Sequence, residues 1–215
     1  MTPVFFDLDG TLIDSLPGIT DAANGVLIER GLPKIGPDLT VGFVGRGERV
    51  FVERMIAATD LDPSEFETLV ERFVVHYKLS AASTVLMPGA REALDILKAA
   101  SYPLGLITNK PRAPLGPTLE AVDLTDDFEV VLAGDDLADR KPHPAPLFAA
   151  MKQLGADRCL YVGDSDIDAE TAERAGMPFA LYTEGIRTKS VEDMPHDAAF
   201  NDFKDLPGIV KALVG

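Results

Sequence analysis

Short apolar runs and amphipathic segments alternate along most of the chain. Five short runs are mostly apolar and are bounded by Gly, Pro, Asp or Asn: Val4–Leu8, Leu104–Thr108, Glu129–Leu132, Leu160–Gly163 and Phe179–Tyr182. Continuous runs of this kind, rather than alternating ones, are typical of strands buried on both faces of a parallel sheet. We therefore predict five central strands and a weaker sixth strand at Ala198–Phe200.

Helix-like segments fill the spaces between the later runs. They are Pro88–Ala100, Ala113–Val122, Pro144–Leu154 and Ile167–Ala175, with a last helix near Leu206–Leu213. Strands that alternate with helices in this way are typical of a parallel sheet with helices on both faces. The predicted fold class is therefore α/β, with a doubly wound, Rossmann-like parallel-sheet core.

The gap between the first two predicted strands is too long for a simple crossover. A parallel crossover needs only about a dozen residues, whereas roughly 95 separate Leu8 from Leu104. The gap contains helical patterns at Leu16–Arg30, Glu48–Ala58 and Pro63–Leu79, and no convincing strand. We predict an α/β core formed by residues 1–14 and 87–215, and an inserted helical cap formed by residues 15–86. Such a cap can act as a lid that excludes water.

The composition is that of an ordinary globular protein with an acidic surface. The chain has 215 residues, of which 46% are apolar, and a net charge of −15. This charge disfavours nucleic acids and anionic membranes as partners, and no apolar run approaches the roughly 20 residues that span a bilayer. The single cysteine, Cys159, and a first strand close to Met1 favour the cytoplasm over secretion. We expect a cytoplasmic monomer or homodimer that binds neither nucleic acid nor membrane.

The first strand delivers two carboxylates into a glycine turn. Asp7 and Asp9 are two residues apart, so on an extended strand they share a face and can approach one reacting atom. Gly10 lets the chain turn tightly and lets an anion approach backbone N–H groups. Two close carboxylates repel each other, and a bound cation relieves that repulsion. The segment can therefore supply a nucleophile, an acid or base and a metal ligand.

Further polar residues lie at or near the ends of later strands, where open α/β sheets bind their ligands. Thr108 and Asn109 can bind phosphate oxygens, and Lys141 is held in a proline-stiffened loop that suits an anion. Asp164 and Asp168 add carboxylate oxygens, the ligands that Mg²⁺ prefers. Taken singly, each of these residues also fits a purely structural role, as a polar residue at a strand end, a solvated surface lysine or a helix cap.

One loop of the predicted cap combines flexibility with a positive charge. Gly42, Gly45 and Gly47 surround Arg46, and neither their spacing nor their context is that of a dinucleotide-binding loop. The loop is either a surface turn before the next helix or a device that presents Arg46 to an anionic group of the substrate.

These motifs, in this order, resemble the four motifs of the haloacid dehalogenase superfamily. The set comprises Asp7-Leu8-Asp9-Gly10-Thr11, Thr108-Asn109, Lys141-Pro142, and Gly163-Asp164 with Asp168 four residues on. The likeness spans essentially the whole chain, and the helical insertion is similar to the cap of that superfamily's first subclass.

The resemblance implies a phosphatase that acts on a small phosphorylated metabolite. Asp7 is then the nucleophile that forms an aspartyl-phosphate, and Asp9 is the acid and base. Mg²⁺ is expected on Asp7, the backbone carbonyl of Asp9, and Asp164. Thr108 and Lys141 complete the expected catalytic set by stabilising the phosphoryl oxygens. The expected supporting residues are Gly10, Thr11, Asn109 and Asp168.

Several activities remain open at this point. The phosphate ester can be a small acid, a sugar phosphate, a nucleotide or pyrophosphate, and a phosphomutase similar to β-phosphoglucomutase would share the motifs. Dehalogenase and phosphonatase chemistry are disfavoured because Asp9 and the acidic cluster are present. A non-catalytic binding protein is disfavoured because Asp7, Asp9, Lys141 and Asp164 are all intact.

Overall fold

The computed structural model describes all 215 residues and contains eight strands. They are β1 Val4–Phe6, β2 Ile13–Asp14, β3 Val85–Leu86, β4 Leu104–Ile107, β5 Val130–Leu132, β6 Leu160–Gly163, β7 Phe179–Tyr182 and β8 Ala198–Phe200. Six of them form one parallel sheet in the order β5-β4-β1-β6-β7-β8. The chain thus builds outward from β1 in both directions, and the predicted doubly wound α/β fold is confirmed.

Nine α-helices complete the fold. They are α1 Leu16–Glu29, α2 Pro37–Val41, α3 Glu48–Ala58, α4 Phe66–Leu79, α5 Ala90–Ala99, α6 Arg112–Ala121, α7 Ala145–Leu154, α8 Asp166–Ala175 and α9 Leu206–Val214. Helices α7 and α8 end at Gly155 and Gly176 in the left-handed conformation that favours glycine. None of the nine is long and apolar enough to cross a membrane.

Both faces of the parallel sheet are buried, which explains why its strands are continuously apolar. In β1, Val4 and Phe6 belong to the apolar cluster on one face, and Phe5 belongs to the cluster on the other. In β6, Leu160 and Tyr161 are divided between the two clusters in the same way. Successive side chains of a strand point to opposite faces, so a strand covered on both sides has no polar positions to spare.

A third apolar cluster lies within the helices between β2 and β3. It is formed by side chains of α1, α3 and α4 and the loop at Phe43, and Phe51 stacks on Phe73 with ring centroids 4.3 Å apart. These helices therefore bury their apolar faces mainly against one another. The division of the chain into a core and a cap of residues 15–86 stays a prediction, and the helices of this cluster are called the cap below.

Two short strands between β1 and β4 were not predicted. Strands β2 and β3 pair antiparallel, with Ile13 opposite Leu86 and Asp14 opposite Val85, so the expectation of no strand in this region was wrong. Strands of two residues have no periodicity from which they could be recognised. The pair holds together the two chain segments that enter and leave the proposed cap. The short helix α2 was also missed, and Pro63–Glu65 forms a 3₁₀ turn ahead of α4.

An ion-pair cluster fastens α5 to the loop before β5. The carboxylate of Asp127 is 7% exposed and contacts Arg91 at 2.8 Å and Lys98 at 2.7 Å. Burial alone would raise the pKa of Asp127, but the hydrogen bonds and charges of Lys98 and Arg91 prevail and hold it below its ordinary value. A carboxyl whose pKa is lower in the folded state stabilises that state above its unfolded pKa.

We expect Asp127→Asn to lower the free energy of unfolding by about 1–2 kcal/mol at pH 7, because two charge-assisted hydrogen bonds are weakened. The difference should shrink as the pH falls below about 4, where the wild-type carboxyl becomes protonated as well. Urea denaturation between pH 7 and pH 3 measures both effects. Asp126→Asn is the control, since Asp126 is exposed and should leave the stability unchanged. An equal loss in both variants would contradict the prediction.

Candidate active site

The candidate site lies at the carboxyl edge of the parallel sheet, where strand order reverses around β1. Asp7 follows β1, Thr108 follows β4, and Asp164 follows β6. Parallel register pairs Phe6 with both Leu106 and Val162, so the three strands end at the same level. Residues more than 150 positions apart along the chain thereby meet, as is usual at the switch point of an open α/β sheet.

The turn after β1 packs directly on Asp164. Gly10 has a φ of +87°, and a Cβ at this position would collide with the Asp164 carboxylate. Thr11 Oγ1 donates a 2.7 Å hydrogen bond to Asp164 Oδ1, and the backbone N–H of Ile186 donates one of 2.6 Å to Oδ2. Gly10 thus permits the close approach, and Thr11 orients the carboxylate.

Lys141 is the buried centre of a polar network. Its Nζ lies 2.8 Å from Asp7 Oδ1, from Asp168 Oδ1 and from the hydroxyl of Tyr161. These contacts match the three donors of an ammonium group. Burial opposes the charge, but Asp168 and Asp7 outweigh it and raise the pKa of Lys141. The lysine is therefore a fixed positive charge beside Asp7.

Asp168 has its hydrogen-bonding capacity filled. Its Oδ1 accepts from Lys141 and from Tyr161, and its Oδ2 accepts a 2.6 Å hydrogen bond from Ser165 Oγ. Ser165 and Asp168 also form the capping box of α8, so one carboxylate both starts the helix and orients the lysine. Despite burial, Lys141 and these hydrogen bonds lower the pKa of Asp168.

Ionisation of the remaining acidic groups would bury a surplus of negative charge. Oxygen atoms of Asp7, Asp164 and Asp168 lie within 4.8 Å of one another. Burial raises the pKa of Asp7 to about 7 against the influence of Lys141, and burial with the charges of Asp168 and Asp7 raises that of Asp164 well above its ordinary value. A divalent cation would relieve this repulsion. Because Asp168 is already committed, Asp7 and Asp164 are the side chains that fit as its ligands.

Asn109 connects three segments around the site. Its Nδ2 donates to the carbonyl of Gly45 in the cap at 2.9 Å and to the carbonyl of Lys141 at 2.8 Å. Thr108 is buried beside it and accepts a 3.1 Å hydrogen bond from the backbone N–H of Lys110. The side chain of Asn109 thus holds the cap loop at Gly45 and the Lys141 loop together.

Three further residues belong to the site and were not predicted: Tyr77, Lys110 and Tyr161. Lys110 Nζ lies 2.9 Å from Asp9 Oδ1, and the Tyr77 hydroxyl donates to the same oxygen at 3.1 Å. Lys110 directly follows Thr108-Asn109 and could have been suspected from that position. Tyr77 and Tyr161 could not, because each continues an apolar pattern of a helix or a strand.

Arg46 does not line the cavity that separates cap from core. The neighbouring Gly45, Gly47 and Glu48 do line it, and Arg46 itself is half-buried. Its assignment to an anionic group of the substrate stays a prediction.

A doubly wound core with clustered aspartates at its strand ends, overlain by separate helices, defines the class of α/β proteins with a metal-ready acidic site at the switch point of the sheet. The family model of the haloacid dehalogenase-like hydrolases matches residues 4–182, and the chain belongs to that family. The resemblance of the four motifs is thereby confirmed.

The chain is similar over its full length to proteins named phosphoglycolate phosphatase. The one from Rhodobacter capsulatus is 41% identical, over 97% of this chain and 96% of that protein. The one from Shigella boydii is 34% identical, over 94% and 90%. A crystal structure from Haemophilus somnus, described as a predicted phosphoglycolate phosphatase, has a TM-score of 0.91 at 31% identity and covers 98% of each chain.

We expect Mg²⁺ to stabilise the protein through Asp164. Saturating Mg²⁺ should raise the Tm by about 5 °C or more, because it binds only the folded cluster. Asp164→Asn should abolish this shift, and in EDTA the variant should be at least as stable as the wild type, since a repelled carboxylate is gone. Differential scanning calorimetry measures both. Asp166 lies outside the cluster, so Asp166→Asn should keep the rise in Tm. Loss of the rise in this variant would indicate an unspecific effect of Mg²⁺.

Proposed function

We propose that the protein is a Mg²⁺-dependent phosphatase that hydrolyses 2-phosphoglycolate to glycolate and phosphate through an aspartyl-phosphate. The observation that carries the proposal is the fixed contact of Lys141 with Asp7 at 2.8 Å, inside a cluster with surplus negative charge. A nucleophilic carboxylate must approach a dianionic phosphate, and a neighbouring ammonium with a divalent cation offsets their repulsion. The names of the full-length relatives support the choice of substrate.

Asp7 performs the first step. It lines the cavity under the cap, and its carboxylate oxygen bonds to phosphorus while the bond from phosphorus to the ester oxygen breaks. Asp9 lines the same cavity and gives a proton to the departing alkoxide. In the second step Asp9 takes a proton from water, the water oxygen bonds to phosphorus, and Asp7 is released together with inorganic phosphate.

The surrounding groups stabilise the phosphoryl oxygens as charge moves. Lys141 and Thr108 line the cavity, and the backbone N–H groups of Gly10 and Asn109 are the further donors that we assign. Asp7, the carbonyl of Asp9 and Asp164 would hold Mg²⁺, which would supply positive charge for the phosphate and the nucleophile. Asp168 and Tyr161 keep Lys141 in place.

The walls of the cavity favour a small ester. The cap closes over Asp7 and Asp9 with apolar side chains from Ile19, Phe51 and Phe73. We expect a nucleotide or a hexose phosphate to require a larger displacement of the cap than a two-carbon acid does. Closure excludes water during the first step, which protects the ester from side reactions.

We expect 2-phosphoglycolate to be the best substrate in a panel with sugar phosphates, nucleotides and pyrophosphate. Release of inorganic phosphate with Mg²⁺ is the measurement, and kcat/KM should exceed that of the other esters at least about tenfold. No bisphosphate should be needed to start turnover. A requirement for one, together with transfer to a sugar, would indicate a phosphomutase instead.

We expect Asp7→Asn to lower kcat by about 10⁴-fold or more, since an amide is a poor nucleophile. Asp9→Asn should lower kcat by about 10²- to 10⁴-fold and keep the Mg²⁺-dependent rise in Tm, because only the backbone of Asp9 is assigned to the metal. Phosphate release and calorimetry distinguish the two. Substantial turnover by Asp7→Asn would rule out the covalent route.

A further inference from the structure

Lys110 and Tyr77 form a cationic, hydrogen-bonding pair beside the proposed general acid. Lys110 donates to Asp9 Oδ1 at 2.9 Å and to the Tyr77 hydroxyl, and its Nζ lies 3.8 Å from the centroid of the Tyr77 ring. The Lys110 side chain is 1% exposed. We infer that Lys110 and Tyr77 bind a carboxylate on the leaving group of the substrate, an inference that rests on the proposed function.

Lys110 is the cation of the cavity that is available to such a carboxylate. Only Lys110 and Lys141 line the cavity as positive groups, and Lys141, which contacts Asp7 at 2.8 Å, is the one assigned to the phosphoryl oxygens. Glu48 also lines the cavity, but it is paired with Arg140 at 3.2 Å. Lys110 is therefore the positive group of the cavity that is left to bind the leaving group of the substrate.

The length of a two-carbon leaving group fits this position. In a phosphorylated 2-hydroxy acid the carboxylate carbon is two covalent bonds from the ester oxygen, about 2.4 Å away. Asp9 must reach that ester oxygen to protonate it. Groups that hydrogen-bond Asp9 therefore lie within reach of the carboxylate, and Lys110 and Tyr77 are those groups.

The hydrogen-bonding capacity of Lys110 supports the same assignment. Its contacts with Asp9 and Tyr77 use two of the three donors of the ammonium group, which leaves one for a substrate carboxylate. Phe73 adds an apolar wall to the same cavity, and charge-assisted hydrogen bonds are stronger in less polar surroundings. An ester without the carboxylate leaves this donor without an anionic partner.

Lys110 and Tyr77 also connect the core with the cap. Tyr77 belongs to α4 of the cap, whereas Lys110 follows β4 of the core. A carboxylate that contacts both groups favours the arrangement in which the cap covers the site. Binding of the acid group and exclusion of water would then be linked.

The test compares 2-phosphoglycolate with ethyl phosphate, which has the same two carbons and no carboxylate. Lys110→Met should lower kcat/KM for 2-phosphoglycolate by about 10²- to 10³-fold, and that for ethyl phosphate by less than about tenfold. Tyr77→Phe, which keeps the ring, should lower kcat/KM for 2-phosphoglycolate about tenfold more than that for ethyl phosphate. This variant alone is sufficient for the test if Lys110→Met does not fold. Lys152→Met on the exposed face of α7 is the charge-matched control and should change neither rate.

Two results would overturn the inference, and a third would refute the proposed substrate. Equal losses on both esters would mean that Lys110 only positions Asp9. A selective loss of 2-phosphoglycolate turnover in Arg46→Ala, without one in Lys110→Met or Tyr77→Phe, would assign the carboxylate to Arg46. Wild-type enzyme that hydrolyses other esters but not 2-phosphoglycolate would instead refute the proposed substrate, before any variant is compared. Competitive inhibition by glycolate, weakened at least about tenfold in Lys110→Met, is the supporting binding measurement.

Discussion

The constraint on which the site depends is an imbalance of buried charge. Four aspartates meet at one edge of the sheet, and only two lysines line the same cavity. Removing ions from water is unfavourable unless they are paired, so this arrangement persists only where the fold imposes it. The single positive charge of Lys141 is shared between Asp168 and Asp7. The remaining negative charge of Asp7 and that of Asp164 are therefore left for a divalent cation. The same imbalance that disfavours the empty cluster suits a dianionic phosphate once the cation is bound.

The parallel sheet imposes this arrangement through its topology. Strands β1, β4 and β6 are buried on both faces and end together, so the residues that follow them have no freedom to separate. The capping box of α8 fixes Asp168, and the turn at Gly10 fixes the approach to Asp164. Rigid elements thus position the groups that we propose to react, while the residues that we propose to select the substrate lie on a connection and on the cap.

The sequence was sufficient for the sheet, most helices and the motif residues, because long apolar runs and short motifs are local signals. It was insufficient wherever function depends on a contact between distant segments. Tyr77 reads as one more apolar position of α4, and only the docking of that helix brings its hydroxyl to Asp9. The pairing of β2 with β3 is likewise a contact between two dipeptides, too short for any pattern. Arg46 is the opposite case, because the sequence of its loop suggested a role in binding, but its side chain does not line the cavity.

Hydrogen bonds between the cap and the core link the position of the cap to the geometry of the site. Asn109 of the core holds the carbonyl of Gly45, and Tyr77 of the cap holds Asp9, so closure and the orientation of the acid are joined by hydrogen bonds. On the proposed function, we expect a substrate that cannot accommodate these contacts to keep the cap open, so that water competes for Asp7 and for the phosphate. Selectivity would then not require a pocket that matches every atom of the substrate. It would require that the correct leaving group permit closure, which in turn completes the site.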